Sequence, residues 1–122
     1  MLIASDPSLN ASADVSTVQE ALEYVQTSHI DLALVDIHLS DGNGFDLCQR
    51  LKAINPAIKV IFITALHEQL IAGWALQFGA DGMICKDVEP KEILTVIKKS
   101  IRGEPAFHPR AYQWLMSSLR GE

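Results

Sequence analysis

The chain is 122 residues long, 48% apolar and 20% charged, with two cysteines. That length points to one domain around one core, burying roughly two-thirds of the unfolded surface without disulfides or a structural metal. Ten basic against fifteen acidic side chains leave a net charge of −5, which argues against direct nucleic-acid binding by this chain and against a cationic membrane-surface role.

No apolar run approaches the roughly 18 residues of a membrane span, and the stretch from Met1 to Pro7 lacks the character of a signal peptide. Cys48 and Cys85 belong to no CxxC or His/Cys ligand grouping. The expectation is a cytoplasmic protein with two buried, reduced thiols.

In chain order, the first expected element is a strand at Leu2-Ile3-Ala4, followed by Ser5-Asp6. A helix then runs from a cap at Ser16 or Thr17 to about Thr27, with Glu20 placed as a capping-box partner and Val18, Leu22 and Val25 on one face. Leu32 to Val35 is a second strand, ending at Asp36. The Asp41-Gly42-Asn43-Gly44 stretch reads as a loop needing positive φ. Phe45 to Ile54 is a helix stopped by Asn55-Pro56. Val60 to Ile63 is a strand ending at Thr64, and Glu68 to Phe78 is a helix closed by Gly79. Gly82 to Cys85 is a weaker strand ending at Lys86. Glu89-Pro90 opens a helix to Ile101 with Lys98, Lys99 and Arg102 in its last turns, favourable for the macrodipole. Gly103-Glu104-Pro105 breaks the chain, and Pro109 to Leu119 is expected to form a short final helix. The expected division is residues 1–103 as the main domain and 104–122 as a linker-like C-terminal helix.

The strand runs are short and lack alternation, as strands covered on both faces do. Strand–helix alternation implies an α/β, three-layer sandwich with a parallel sheet, and ligands in such sheets bind beyond the carboxyl ends of the strands. The strand-terminal Asp6, Asp36, Thr64 and Lys86 are therefore expected to converge. Two carboxylates about 4 Å apart repel by roughly 4 kcal/mol at an effective dielectric near 20, and a divalent cation such as Mg²⁺ offsets this while keeping waters and phosphate oxygens. Lys86 offers a point charge and Thr64 a hydroxyl to a phosphoryl group. An aspartate in such a setting is a known type of phosphoryl acceptor. The chain lacks a Gly-rich nucleotide loop, so a partner would bring the donor.

These residues carry a family resemblance over nearly the whole length. Asp31-Leu32-Ala33-Leu34-Val35-Asp36-Ile37-His38-Leu39, Asp41-Gly42-Asn43-Gly44-Phe45, Val60-Ile61-Phe62-Ile63-Thr64-Ala65, Phe78-Gly79-Ala80-Asp81-Gly82 and Lys86 together resemble the receiver domain of two-component response regulators. The resemblance implies a flavodoxin-like fold, here lacking one N-terminal helix and one strand. It implies that Asp36 accepts phosphate from a sensor histidine kinase, that Asp6, Asp36 and the backbone carbonyl of His38 bind Mg²⁺, and that Thr64 and Lys86 sense the phosphoryl group. The stretch from Ile101 to Pro109 is similar to the linker of the subgroup that carries a helix-turn-helix output domain.

Three features depart from the family pattern. Ser5-Asp6 stands where an acidic pair is usual, which lowers the pull on a metal. Met83 stands where the family has its switch aromatic. The segment 7–30 is short for a helix, a strand and a second helix, so Leu2–Ala4 is expected to join Leu32–Val35 through one crossover. That places three helices on one face and the 89–101 helix alone on the other. It leaves apolar sheet surface to be covered by the Tyr112/Trp114/Leu115 helix or by a second copy of the chain.

Two functions follow. The first is a phosphorylatable receiver in phosphorelay signalling; the second is a pseudo-receiver serving as a phosphorylation-independent interaction or dimerisation module. An enzyme of the haloacid-dehalogenase-like class is not expected, because His38 occupies the place of its second aspartate. Blander roles are a turn for Asp6-Pro7, a surface pair with Asp81 or Asp87 for Lys86, and solvated surface positions for His29, His38, His67 and His108.

Overall fold

The computed structural model describes residues 2–4, 11–39, 41–64, 69–108, 113 and 116. In chain order these form β1 (Leu2–Ala4), β2 (Ala11–Asp14), α1 (Val18–Thr27), β3 (Leu32–Asp36), β4 (His38–Leu39) and β5 (Gly42–Asn43). They continue with α2 (Gly44–Ile54), β6 (Lys59–Thr64), α3 (Gln69–Gln77), β7 (Gly82–Cys85), α4 (Pro90–Ile101) and β8 (Ala106–Phe107). One six-stranded sheet has the order β2-β1-β3-β6-β7-β8, and β4 and β5 form a separate two-stranded ribbon.

Strands β3, β6, β7 and β8 are parallel neighbours. Successive side chains on each strand serve opposite cores. Ala33, Val35, Val60, Phe62 and Met83 join Val18 and Ala21 of α1, Leu47, Cys48 and Leu51 of α2, and Ala75 of α3. Leu32, Leu34, Ile61, Ile84 and Ala106 face Val96 and Ile97 of α4. Both faces of the strands are covered, which is why their sequences read as continuous apolar runs. Three helices lie on one side and one on the other, as the sequence implies. Yet Leu32 and Leu34, beside α4, are 2% and 5% exposed, so the bare patch expected there is covered within the single chain.

The N-terminal edge differs from expectation. β1 is antiparallel to both β2 and β3, with Leu2 opposite Asp14 and Leu34, and Ala4 opposite Ala11 and Leu32. The strand expected to be missing is present as Ala11–Asp14, and it is this strand, not Leu2–Ala4, that leads into α1. Length explains the change: a parallel neighbour needs a crossover of a dozen residues or more, whereas an antiparallel one needs only a turn. The segment 5–10 is too short for a crossover and contains Pro7, Ser8 and Asn10, all turn formers.

The helix ends follow the expected chemistry. Thr17 Oγ1 accepts the Glu20 N–H at 3.0 Å, and Asn43 Oδ1 accepts the Asp46 N–H at 2.8 Å. Glu92 reaches back to accept the Glu89 N–H at 2.9 Å, with Pro90 in the first turn of α4. Gly79 and Gly103 have φ of 90° and 78° after α3 and α4. Of the expected final helix, Gln113 and Met116 are helical; Tyr112, Trp114 and Leu115 lie outside the described residues. Among the described residues, no helix is long and apolar enough to cross a membrane.

Candidate functional site at the strand ends

Three of the four strand-terminal residues meet at one edge. Asp36 closes β3, Thr64 closes β6, and Lys86 follows Cys85 at the end of β7. The register fixes this, since Asp36 pairs with Ile63 and Thr64 with Cys85. The Lys86 ammonium donates to Asp36 Oδ2 at 2.5 Å, and its backbone N–H donates to the Thr64 carbonyl at 2.8 Å. Thr64 is buried, whereas Asp36 is partly accessible, its side chain 30% exposed. A charge-assisted bond spanning fifty residues of sequence thus holds a reachable carboxylate at the mouth of the sheet.

Ser5 and Asp6 lie outside the described residues. The last described residue of β1, Ala4, pairs with Leu32 at the start of β3. Asp36 leaves β3 at the opposite end of the sheet. The backbone of His38 lies in β4, two residues past Asp36 and paired with Asn43. No group of three or more His, Cys, Asp or Glu suited to a metal occurs among the described residues. Asp36 is thus the carboxylate that the described strand ends bring to the Thr64 and Lys86 positions.

The segment following Asp36 is anchored twice. Gly44 donates its N–H to the Ile37 carbonyl at 2.8 Å. A Cβ at Gly44 would stand 2.5 Å from the Asp36 carbonyl oxygen and 3.0 Å from Ile37 Cα. Gly44 is therefore required by close packing on the Asp36 backbone. The positive φ expected of the 41–44 stretch is not found: the described glycines with positive φ are Gly79 and Gly103.

The second anchor is Asp41, whose carboxylate accepts the Val18 N–H at 2.8 Å and the Gln19 N–H at 3.1 Å. These are unpaired donors at the start of α1, where a negative charge is favoured. The Val18 and then the Gln19 hydrogen bonds hold the Asp41 carboxyl below the usual aspartate range. This tie is invisible to local pattern reading, because its partners are more than twenty residues apart. An acidic residue opposite an incompletely capped helix start was the available signal.

Other side chains resolve into structural roles. Asp81 pairs not with Lys86 but with Lys52 at 2.6 Å, and it accepts the Val60 N–H at 2.9 Å. Cys48 and Cys85 are free and buried as expected; burial pushes the Cys48 thiol up to about 11. His29 is exposed beside Asp31. His108, expected at the surface, is instead 9% exposed, with Nε2 3.1 Å from Glu92 Oε1. His67 and the His38 side chain lie outside the described set. Met83 is fully buried on the three-helix face.

Comparison with known proteins follows the same line. The family model described as "Response regulator receiver domain" matches residues 2–98. The DNA-binding transcriptional activator DevR/DosR of Mycobacterium tuberculosis is 31% identical over 120 residues, 98% of this chain and 55% of that protein. The nitrate/nitrite response regulator NarL of Escherichia coli is 29% identical over 121 residues, again 55% of its length. This chain spans about half the length of these curated relatives. Among solved structures, a CheY-like receiver domain protein from Methanospirillum hungatei aligns with a TM-score of 0.66 at 31% identity, covering 71% of this chain and 70% of that one. A LuxR-family regulator from Aurantimonas reaches 0.79 at 22% identity, covering 87% and 75%, which is a likeness of fold.

Proposed function

The chain belongs to the response regulator receiver family, and on that premise we propose that it accepts a phosphoryl group on Asp36 from a sensor histidine kinase in a phosphorelay. The observation carrying this reading is the Lys86–Asp36 contact across the ends of β3 and β7, with Thr64 at the same edge. In the transfer, an Asp36 carboxylate oxygen attacks the phosphorus of a phosphohistidine. The P–N bond breaks, its electron pair stays with a ring already protonated at the other nitrogen, neutral imidazole leaves, and an acyl phosphate remains. Lys86 exchanges its carboxylate partner for a phosphoryl oxygen, and the Thr64 hydroxyl donates to another. The modification adds about −1.5 to −2 charges at this edge, which biases the arrangement of both residues.

Mg²⁺ is the cofactor implied by the family. The donors at hand are one carboxylate, Asp36, and the His38 carbonyl. They suit an ion that commonly keeps several waters and takes only one or two carboxylates. Such an ion would supply charge neutralisation. Asp6, the third ligand that the resemblance implies, lies outside the described residues. The role is that of a signalling domain rather than an enzyme. Homodimerisation is part of the same reading, supported by exposed apolar side chains at Trp74 and Leu76 on α3 and Leu94 on α4.

The fully buried Met83, standing where the family has its switch aromatic, favours a second reading, in which Asp36 stays idle and the fold serves as an interaction module. Intact mass after incubation with millimolar Mg²⁺ and acetyl phosphate separates the two. One added phosphoryl group, absent from Asp36→Asn, is the expected result. No mass gain, together with a stable dimer by size measurement, establishes the interaction module instead.

A further inference from the structure

The sheet does not stop with α4. After Gly103 the chain returns and lays Ala106–Phe107 along β7 as a parallel edge strand, with Gly82 opposite Ala106 and Met83 opposite Phe107. The Ala106 N–H donates to the Asp81 carbonyl at 3.2 Å and the His108 N–H to the Met83 carbonyl at 2.9 Å. The sequence is adapted to this approach, since a Cβ on Gly82 would stand 2.2 Å from the Ala106 carbonyl oxygen. Ala106 is 1% exposed in the core beneath α4, and Phe107 packs against the opposite core, which contains Met83. His108 then reaches Glu92 in the first turn of α4, and the other Glu92 oxygen holds the Glu89 N–H.

The same strand β7 ends at Lys86, and so at Asp36. Its four residues are all buried, leaving it little freedom to adjust by itself. It is joined to β6 by four register pairs and to β8 by two. Displacement of β7 therefore opens first on the β8 side, where the fewest backbone bonds resist. Edge segments of this kind populate the low-stability end of local unfolding.

We propose that Ala106–His108 is a detachable latch, coupled through β7 to the Asp36–Lys86 pair, with Phe107 opposite Met83 as its anchoring side chain. Docking of the latch holds β7, and the Asp36–Lys86 bond holds the other end of the same strand, so loosening either one loosens both. A change at Asp36 is thereby transmitted to the chain beyond His108. The trigger rests on the phosphoacceptor reading; the coupling is a property of the unmodified chain and is testable without phosphate.

The test is residue-resolved amide exchange on the full chain. In Lys86→Met, the Ala106 and His108 amides are expected to exchange tenfold faster or more, while those of Leu34 and Ile61 keep their wild-type rates. Arg50→Met, an exposed change on α2, is the control and should change none of them. Unchanged or slower exchange at Ala106 and His108 in Lys86→Met overturns the proposal. Glu92→Gln, a conservative change, should speed exchange at His108 without unfolding the domain; no change there also counts against the latch. Beryllofluoride, a phosphoryl mimic, supplies the other arm, with ¹⁹F resonances reporting its occupancy of Asp36. Occupancy with no change at the latch amides refutes the coupling. Failure of beryllofluoride to bind refutes the phosphoacceptor reading, while the Lys86→Met result still decides the latch.

Discussion

Gly44→Ala is the most informative single change near the acceptor. The new methyl would sit 2.5 Å from the Asp36 carbonyl oxygen, 3.0 Å from Ile37 Cα and 3.0 Å from Val35 Cγ1. Comfortable contacts between such atoms lie near 3.5 Å, so something must move by about half an ångström or more. Two of the three obstacles are backbone, and the Gly44 N–H is tied to the Ile37 carbonyl at 2.8 Å, so helix α2 cannot simply back away. Overpacking of this kind costs about 1–3 kcal/mol, and the gain of up to ~1 kcal/mol from replacing glycine in a helix offsets part of it. A net loss of about 1–2 kcal/mol is expected in urea unfolding. The acceptor also moves, and since a 1 Å misplacement can cost ~100-fold in rate, acetyl phosphate labelling of Asp36 should slow by about tenfold. Gly42→Ala is the milder comparison: its methyl meets one side-chain atom and no backbone, Val18 Cγ2 at 3.2 Å, so both readouts should fall by less than in Gly44→Ala. A Gly44→Ala variant with wild-type stability and labelling rate would refute the packing argument.

Three other outcomes follow from the same geometry. Leu47→Ala empties a fully buried site between α2 and the sheet and should cost about 2–5 kcal/mol in urea unfolding with an unchanged m-value. The Asp41 carboxyl titrates below its ordinary value in the native state. Its contribution is therefore present above the unfolded pKa near 4 and is lost as pH falls through the depressed native value. The urea midpoint of the wild type should accordingly exceed that of Asp41→Asn at neutral pH, and the gap should close under acid conditions. The Cys48 thiol, pushed up to about 11 by burial, should resist alkylation at pH 8 until the protein is unfolded; prompt labelling in native buffer would contradict its placement in the core.

Much of the sheet was legible because burial on both faces leaves an unmistakable trace. Leu32–Val35, Val60–Ile63 and Gly82–Cys85 are apolar runs that end abruptly at Asp36, Thr64 and Lys86, and the coordinates put all three at one edge. Helix limits were legible from capping chemistry at Thr17, Asn55 and Gly79. What escaped was held together by distant partners. Ala11–Asp14 has no apolar signature, and its strand exists because β1 turns back against it. Ala106–Phe107 is two residues long and is a strand only by virtue of the gap that Gly82 leaves beside it. Asp41 looked like a loop residue because its partners, Val18 and Gln19, are defined by the tertiary fold.

The reversed first strand connects these observations to function. A receiver site collects its charges from the carboxyl ends of parallel strands, so the direction of each strand decides which side chains it can contribute. Here β1 pairs antiparallel with both β2 and β3 and lies between them in the sheet. Backbone pairing is kept, while Ala4 closes β1 beside Leu32, at the end of β3 opposite to Asp36. The Lys86 ammonium touches the Asp36 carboxylate. On the proposed reading, an incoming phosphoryl group competes with the Asp36 carboxylate for Lys86. In such a site the position of Lys86 is the variable that changes with modification. Because Lys86 continues β7, the strand that Ala106 and Phe107 line, a shift of Lys86 bears on an edge joined by two register pairs.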